Sequence, residues 1–151
     1  MKTAIIYFSS HHMNTKKVLD AIAAKLPVEL IPIAKAANAD LSGYSLLGFA
    51  SGIYYASYAS KLKEFMKEHR FEKEQKAFLI STSGIRNKKY SGEEKSILEE
   101  KGVPVIGTYS CKGFDTFGPF KYIGGISKGH PNQTELNGAV QFMEKLFGAQ
   151  M

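Results

Sequence analysis

Cysteine is scarce in this sequence, since Cys111 is the single cysteine among 151 residues. One thiol cannot close a disulfide within the chain, and no cysteine or histidine spacing resembles a zinc site. The sequence therefore predicts neither thiol redox chemistry nor a metal site. Cys111 itself is expected to be a small buried residue at the end of a strand.

Long hydrophobic runs are missing as well. The N-terminal run from Thr3 to Phe8 turns polar at Ser9, so it is too short for a secretion signal or a membrane span. We interpret it as a buried strand and expect a cytoplasmic protein. The length is typical of one domain, and neither a linker nor a repeat interrupts the chain. A single domain over residues 1–151 is therefore predicted.

Positive charge is in excess, with a formal net charge of +6, but it is not concentrated. The lysines lie singly or in pairs, such as residues 16–17 and 88–89. No helix-turn-helix, zinc-finger or RNA-binding pattern accompanies them. We therefore expect no nucleic-acid partner, and the surplus indicates a solvated basic surface or an acidic redox partner protein.

Several catalytic motifs are also lacking. The sequence has no G-x-G-x-x-G after its first strand and no G-x-x-x-x-G-K-[ST], which argues against dinucleotide and NTPase sites. No G-x-S-x-G elbow directly follows a predicted strand, so none supports a hydrolase. Phosphate-receiver domains need acidic residues after strands one and three. Here the strands end in Phe8-Ser9-Ser10 and Ala50-Ser51-Gly52, so that class is excluded.

What is present is an alternation of apolar runs and amphipathic stretches. The runs are Thr3 to Phe8, Val28 to Ile33, Tyr44 to Ala50, Lys76 to Ser81 and Val103 to Tyr109. Continuous apolar strands separated by helices are typical of a parallel sheet covered on both faces. The prediction is an α/β fold with a doubly wound five-stranded parallel sheet in the order 2-1-3-4-5.

Helical spacing supports the connections between these strands. A first helix is expected to carry Val18, Leu19, Ile22, Ala23 and Leu26 on its buried face, with Asn14 or Thr15 as its cap; a second carries Tyr58, Leu62, Phe65 and Met66. Residues 34–38 are expected to form a single turn. The last helix follows Asn132, and Glu135 three residues later completes a capping-box variant.

In this strand order, ligands bind beyond the carboxyl ends of strands one and three. The first loop, from Ser9 to Thr15, brings hydroxyl groups to the start of a helix, an arrangement suited to phosphate. The second loop places Gly52 beside Tyr54 and Tyr55, whose faces suit a planar heterocycle. The third loop, from Ser81 to Tyr90, adds hydroxyls, a glycine and another ring.

On these residues the sequence resembles the flavodoxin family over nearly its whole length. The family's phosphate loop reads Ser/Thr-x-Thr-Gly-Asn-Thr, and this chain matches it at Ser10, Asn14 and Thr15. His12 stands in place of the threonine and Met13 in place of the glycine. His12 and Lys16 would add positive charge near the phosphate.

The resemblance implies that FMN is the cofactor and that the protein carries electrons, cycling between oxidised, semiquinone and hydroquinone flavin. It also implies that the Gly52 peptide turns to offer its carbonyl to reduced flavin. Cofactor contacts are expected from Ser9, Ser10, His12, Met13, Asn14, Thr15, Ser51, Gly52, Ile53, Tyr54, Tyr55, Ser81, Thr82, Ser83, Gly84 and Tyr90.

An alternative remains open on the same fold, namely an FMN-dependent reductase or oxidase acting on a quinone or another small molecule, including a protoporphyrinogen-oxidase-like protein. The long segment from Cys111 to His130 could build a substrate cavity. Its residues Phe114, Phe117 and Phe120 either pack the loop down or form a docking patch. The partner is thus a redox protein or a small-molecule acceptor, and the protein is a monomer or a homodimer.

Overall fold

The computed structural model describes residues 2–9, 13–54, 57–84, 91–113 and 125–150. The strands described there are β1 (Thr3–Phe8), β2 (Val28–Pro32), β3 (Leu46–Tyr54), β4 (Ser57–Tyr58), β5 (Lys76–Ser83) and β6 (Val105–Lys112). The helices are α1 (Asn14–Ala23), α2 (Ile33–Ala36), α3 (Ser60–Glu68), α4 (Gly92–Glu100) and α5 (Gln133–Gln150). None of these helices is long and apolar enough to cross a membrane.

The five long strands form a parallel sheet in the order β2-β1-β3-β5-β6, which confirms the predicted doubly wound topology. In the middle of the sheet Ile5 lies between Leu30 of β2 and Gly48 of β3. The added strand β4 pairs antiparallel with the end of β3 and places Tyr58 opposite Ile53. The predicted count of five strands is therefore one short, and Tyr58 belongs to this hairpin rather than to a helix.

Both faces of the sheet are buried, because successive side chains of a strand point to opposite sides. On one face Ile5 packs with Val18 of α1 and Met143 of α5. On the other face Ile6 packs with Leu62 and Met66 of α3. Burial on both sides explains why the strands appear in the sequence as continuous apolar runs.

Three strands extend further toward their carboxyl ends than the apolar runs indicate. β3 ends at Tyr54 rather than Ala50, β5 at Ser83 rather than Ser81, and β6 at Lys112 rather than Tyr109. The extra residues of β3 and β5 are largely polar or small, so hydrophobicity does not mark them as strand. They place Ser51 opposite Ser81 and Gly52 opposite Thr82 as paired strand residues at the carboxyl edge of the sheet.

The last helix begins as predicted, with a reciprocal capping box. The Glu135 N–H donates to Asn132 Oδ1 at 3.0 Å, and the Asn132 N–H donates to Glu135 Oε1 at 2.9 Å. Glu135 also accepts a bond from the Lys112 N–H at 2.9 Å and contacts His130. Burial alone would raise the pKa of Glu135, but these backbone donors and His130 outweigh it and lower the pKa. This carboxylate therefore fastens the end of β6 to α5.

Candidate functional site

The first loop connects β1 to α1 and fixes how the helix begins. Met13 is the N-cap residue of α1, in the left-handed conformation with φ 55° and ψ 32°. The prediction that Asn14 or Thr15 caps the helix is therefore wrong, since both lie inside it. The Met13 side chain makes no capping hydrogen bond. Ser9, directly after β1, takes this role instead, because its Oγ accepts the Lys16 N–H at 3.1 Å.

Met13 adopts the backbone conformation that a glycine takes at little cost. The left-handed backbone conformation costs a residue with a side chain roughly 1–2 kcal/mol. Here a methionine adopts it. The Met13 side chain is 47% exposed, so it does not fill the space over the helix end. The N–H groups of Asn14 and Thr15 occupy the first turn, where an α-helix provides no internal acceptor. Such groups can bind an anion.

Two contacts join the start of α1 to the neighbouring loops. The hydroxyl of Thr15 lies 2.9 Å from that of Thr82 at the end of β5, and both side chains are buried. Gly113, which follows β6, lies against Asn14 so closely that a Cβ atom there would stand 2.5 Å from Asn14 Nδ2. The helix end is thus held between the ends of β5 and β6.

The second loop is fastened by Ser51, whose side chain is completely buried. Its hydroxyl accepts the Ala59 N–H at 3.0 Å and donates to the Gly52 carbonyl at 2.6 Å. One hydroxyl therefore holds both ends of the β3–β4 hairpin. Gly52 and Ile53 are half-buried at the sheet edge.

The third loop begins at the end of β5, where Ser81 and Thr82 are buried. In the sheet Ser81 lies opposite Ser51, and Thr82 lies opposite Gly52. The Ser83 carbonyl accepts the Gly113 N–H at 2.9 Å, and the Gly84 carbonyl accepts the Ser127 hydroxyl at 2.6 Å. Gly113 and Ser127, which both follow β6 in the chain, therefore anchor the start of this loop.

The structure thus brings eleven of the predicted site residues to one edge of the sheet. They are Ser9, Met13, Asn14, Thr15, Ser51, Gly52, Ile53, Ser81, Thr82, Ser83 and Gly84. Tyr54 ends β3 at the same edge. The predicted contacts Ser10, His12, Tyr55 and Tyr90 lie outside the described residues, as do Phe114, Phe117 and Phe120 and the side chain of Tyr54.

Two lysines differ from the sequence-based expectation. Lys16 forms an ion pair with Asp20, one turn further along α1, so its charge is directed away from the helix end. Lys61, from the first turn of α3, lines a cleft of about 360 Å³ together with Ser9 and Met13. Sequence reasoning missed Lys61 as a site residue. Its place in the helix that follows the second loop is the signal that could have found it.

The Lys61 cleft lies beyond β1 and β2. Its other walls are Tyr7, Phe8 and the segment 32–34 at the junction of β2 and α2. Since β1 stands between β2 and β3, these walls place the cleft on the β2 side of the first loop, with Lys61 of α3 closing it.

Comparison with known proteins gives a consistent picture. A family model described as "Flavodoxin domain" matches residues 5–105. A protein of Methanocaldococcus jannaschii, described as uncharacterized, is 34% identical over 148 residues, which is 97% of this chain and 98% of the relative. Among solved structures, a flavodoxin of Streptococcus pneumoniae TIGR4 superposes with a TM-score of 0.69 at 12% identity, covering 99% of each chain.

A second solved structure is the Fusobacterium nucleatum flavodoxin bound to flavin mononucleotide. It superposes with a TM-score of 0.67 at 12% identity, again over 99% of each chain. At this level of identity the two structural matches establish the fold.

Proposed function

The chain belongs to the flavodoxin family, and we propose that it holds FMN at the carboxyl edge of its sheet and carries electrons between redox partners. The observation that carries this proposal is that the ends of β5 and β6 both contact the first turn of α1. Asn14 and Thr15 meet Gly113 and Thr82 there, and Ser51 lies on the adjoining strand. A structural relative with the same fold is bound to this cofactor.

The residues present fit the phosphoryl end of FMN. The N–H groups of Asn14 and Thr15 suit a phosphate, and the positive end of the α1 dipole adds to their attraction. Met13 takes the left-handed backbone that places these groups at the end of β1, while its side chain extends toward solvent. The replacement of the family's glycine by methionine is therefore compatible with the phosphate loop.

FMN, when bound, supplies one- and two-electron chemistry that no side chain of the protein provides. The chain's own task is to hold the ring and to set its electrostatic surroundings. Ser51 is central to this task, because its hydroxyl fixes the Gly52 carbonyl at 2.6 Å. A turn of the Gly52 peptide would break that bond, so Ser51 favours the orientation seen in the structure.

We favour the carrier over the reductase because the family model that matches residues 5–105 is described as a flavodoxin domain. A reductase needs a cavity that holds a small substrate against the ring. A carrier needs no such cavity, because its partner approaches an exposed edge.

The net charge of +6 supports a partner with an acidic docking face, because charge complementarity speeds association. We place this exchange in the cytoplasm. A salt-dependent rate of electron transfer would follow from such a partner.

The experiment that separates the two functions is an anaerobic reductive titration of the FMN-loaded protein. We expect electrons to enter in two resolved steps, and we expect no steady oxidation of NAD(P)H when a soluble quinone is supplied. Steady turnover of both substrates by the protein alone would identify a reductase instead. A colourless protein that cannot be loaded with FMN would overturn both readings.

A further inference from the structure

A buried carboxylic acid lies behind the second and third loops. Glu94, in the first turn of α4, has no solvent exposure. Neither of its carboxyl oxygens has a hydrogen-bond partner among the described residues. Burying an ionised carboxylate without a partner is very costly, so such a group retains its proton unless its surroundings change.

A set of hydroxyl groups runs beside this acid toward the carboxyl edge of the sheet. The buried Tyr58 hydroxyl lies 3.1 Å from Ser91 Oγ, at the start of α4. The same tyrosine interacts with the Ser81 hydroxyl, near the end of β5. Burial raises the pKa of Tyr58 well above its usual range, so the phenol stays neutral. Glu94 therefore adjoins a polar path that leads to the third loop.

The charged groups around Glu94 do not neutralise it. Glu93, its neighbour on α4, is 53% exposed and accepts bonds from the Ser57 hydroxyl at 3.1 Å and the Lys63 ammonium at 3.5 Å. Lys63 of α3 also donates to Ser57 at 2.8 Å. The nearby cation is thus engaged with the exposed Glu93, and β4 contributes the neutral Tyr58.

Burial and, to a smaller extent, the charge of Glu93 raise the pKa of Glu94, while the backbone N–H groups of Glu94 and Tyr58 and the charge of Lys63 lower it. The net result is a pKa of about 7. Near neutral pH the group is therefore poised between its two protonation states. A modest change of charge in its surroundings is enough to shift this balance.

We propose that Glu94 exchanges a proton with solvent in step with the charge of the flavin site, taking one up when an electron arrives and releasing it when the electron leaves. This inference rests on the proposed function. The electron comes from a reduced partner protein, the proton comes from water, and the Glu94 carboxylate becomes a neutral acid. In this role Glu94 touches neither the cofactor nor a substrate. Its protonation state acts on the flavin site only through its charge.

The size of the effect follows from electrostatics. A shift of about one pH unit in the Glu94 midpoint corresponds to a tenfold change in its proton affinity, which is the scale expected when a unit charge appears in a nearby site at an effective dielectric constant of about 20. By linkage, the protonation state of the acid shifts the reduction equilibrium by the same factor. Screening by salt is weak for a buried group, so the coupling is expected to persist at physiological ionic strength.

The test is a carboxyl ¹³C NMR titration of the FMN-loaded protein, first oxidised and then reduced with dithionite. The Glu94 resonance is identified by its loss in Glu94→Gln, and in Glu94→Met should the glutamine variant fail to fold. We expect it to titrate near neutral pH in the oxidised protein and about one pH unit higher in the reduced protein. The exposed Glu93→Gln variant is the matched control and keeps this redox-dependent shift.

A second readout is the dependence of stability on pH. The folded-state pKa of Glu94 is about 7, above its ordinary value of 4.5. The native state therefore holds this proton across that interval while the unfolded state has lost it. The stabilisation is complete below the unfolded-state pKa and is lost as pH rises toward 7. We expect Glu94→Gln to remove the fall in the free energy of unfolding between about pH 4.5 and 7 that Glu94 causes.

Equal Glu94 midpoints in the oxidised and reduced protein would overturn the coupling while leaving the proposed function intact. A midpoint near the ordinary value would overturn it as well. FMN binding is measured beforehand by quenching of flavin fluorescence. A protein that does not bind FMN would contradict the proposed function itself. A protein that binds FMN but shows equal Glu94 midpoints would contradict only the coupling.

Discussion

Replacing Gly113 by alanine is expected to weaken FMN binding about ten- to a hundredfold. A Cβ atom at this position would stand 2.5, 2.7 and 2.8 Å from three atoms of the Asn14 side chain. Gly113 cannot move away easily, because its N–H is bonded to the Ser83 carbonyl at 2.9 Å. The clash must therefore displace Asn14, the first residue of α1. Overpacking of this kind costs about 1–3 kcal/mol, and each 1.4 kcal/mol is about tenfold in affinity.

The measurement is a titration of FMN fluorescence, with the thermal unfolding of each FMN-free variant recorded in parallel. Gly43→Ala is the matched control, because a Cβ atom there meets nothing within 4 Å, and its affinity should equal that of the wild type. A folded Gly113→Ala protein that binds FMN as tightly as the control would show that the contact between Gly113 and Asn14 does not shape the site.

Replacing Gly48 by alanine is expected to destabilise the fold by about 2–3 kcal/mol, toward the upper end of the usual cost of overpacking. Gly48 of β3 lies opposite Phe78 of β5. A Cβ atom on Gly48 would stand 2.3 Å from Cζ of that ring. Phe78 is completely buried and its ring meets Phe142 edge-on at a centroid distance of 6.2 Å, so it has little room to move.

The cause can be tested by a double-mutant cycle, with unfolding free energies measured in urea. Phe78→Leu alone should also destabilise, since it leaves a cavity. In the double variant, however, the smaller side chain makes room for the new methyl group. The combined loss should therefore be less than the sum of the single losses. Strict additivity would mean that the ring is not what excludes a side chain at position 48.

The order of the parallel strands could be predicted from the sequence because each of them is buried on both faces. Thr3 to Phe8 is a continuous apolar run for this reason, and its bounds are those of β1. The run from Tyr44 to Ala50 predicts the centre of β3 but not its last four residues. Ser51 and Gly52 pair with β5 there, and Ile53 and Tyr54 pair with β4, so pairing rather than hydrophobic burial defines this end of the strand.

Helix α4 shows a different limit of sequence reasoning. The gap after β5 has room for a crossover, but no clear apolar stripe marks the helix. Ile97 and Leu98 supply part of its buried face, and Glu94 is buried beside them in place of an apolar residue. A glutamate at a buried helical position appears in the sequence as a solvent-facing residue. The burial of Glu94 could therefore be found only from the structure.

The start of α1 shows why the sequence could indicate where the candidate site lies but not its local geometry. Hydroxyl residues before a helix predict a phosphate loop, and in a doubly wound parallel sheet the loops that follow β1, β3 and β5 leave from the same carboxyl edge. The left-handed Met13 and the remote cap from Ser9 depend on tertiary contacts. So does the contact between Asn14 and Gly113, which are 99 positions apart in the chain.

The most direct test of the central claim compares the affinity of the FMN-free protein for FMN with its affinity for riboflavin, which lacks the phosphate. Hydrogen bonds to a charged group contribute about 1.5–3 kcal/mol each, so two donors at the start of α1 predict that FMN binds at least about a hundredfold more tightly. Equal affinities for the two flavins, measured by fluorescence quenching under the same conditions, would contradict the claim that this helix end holds the phosphate.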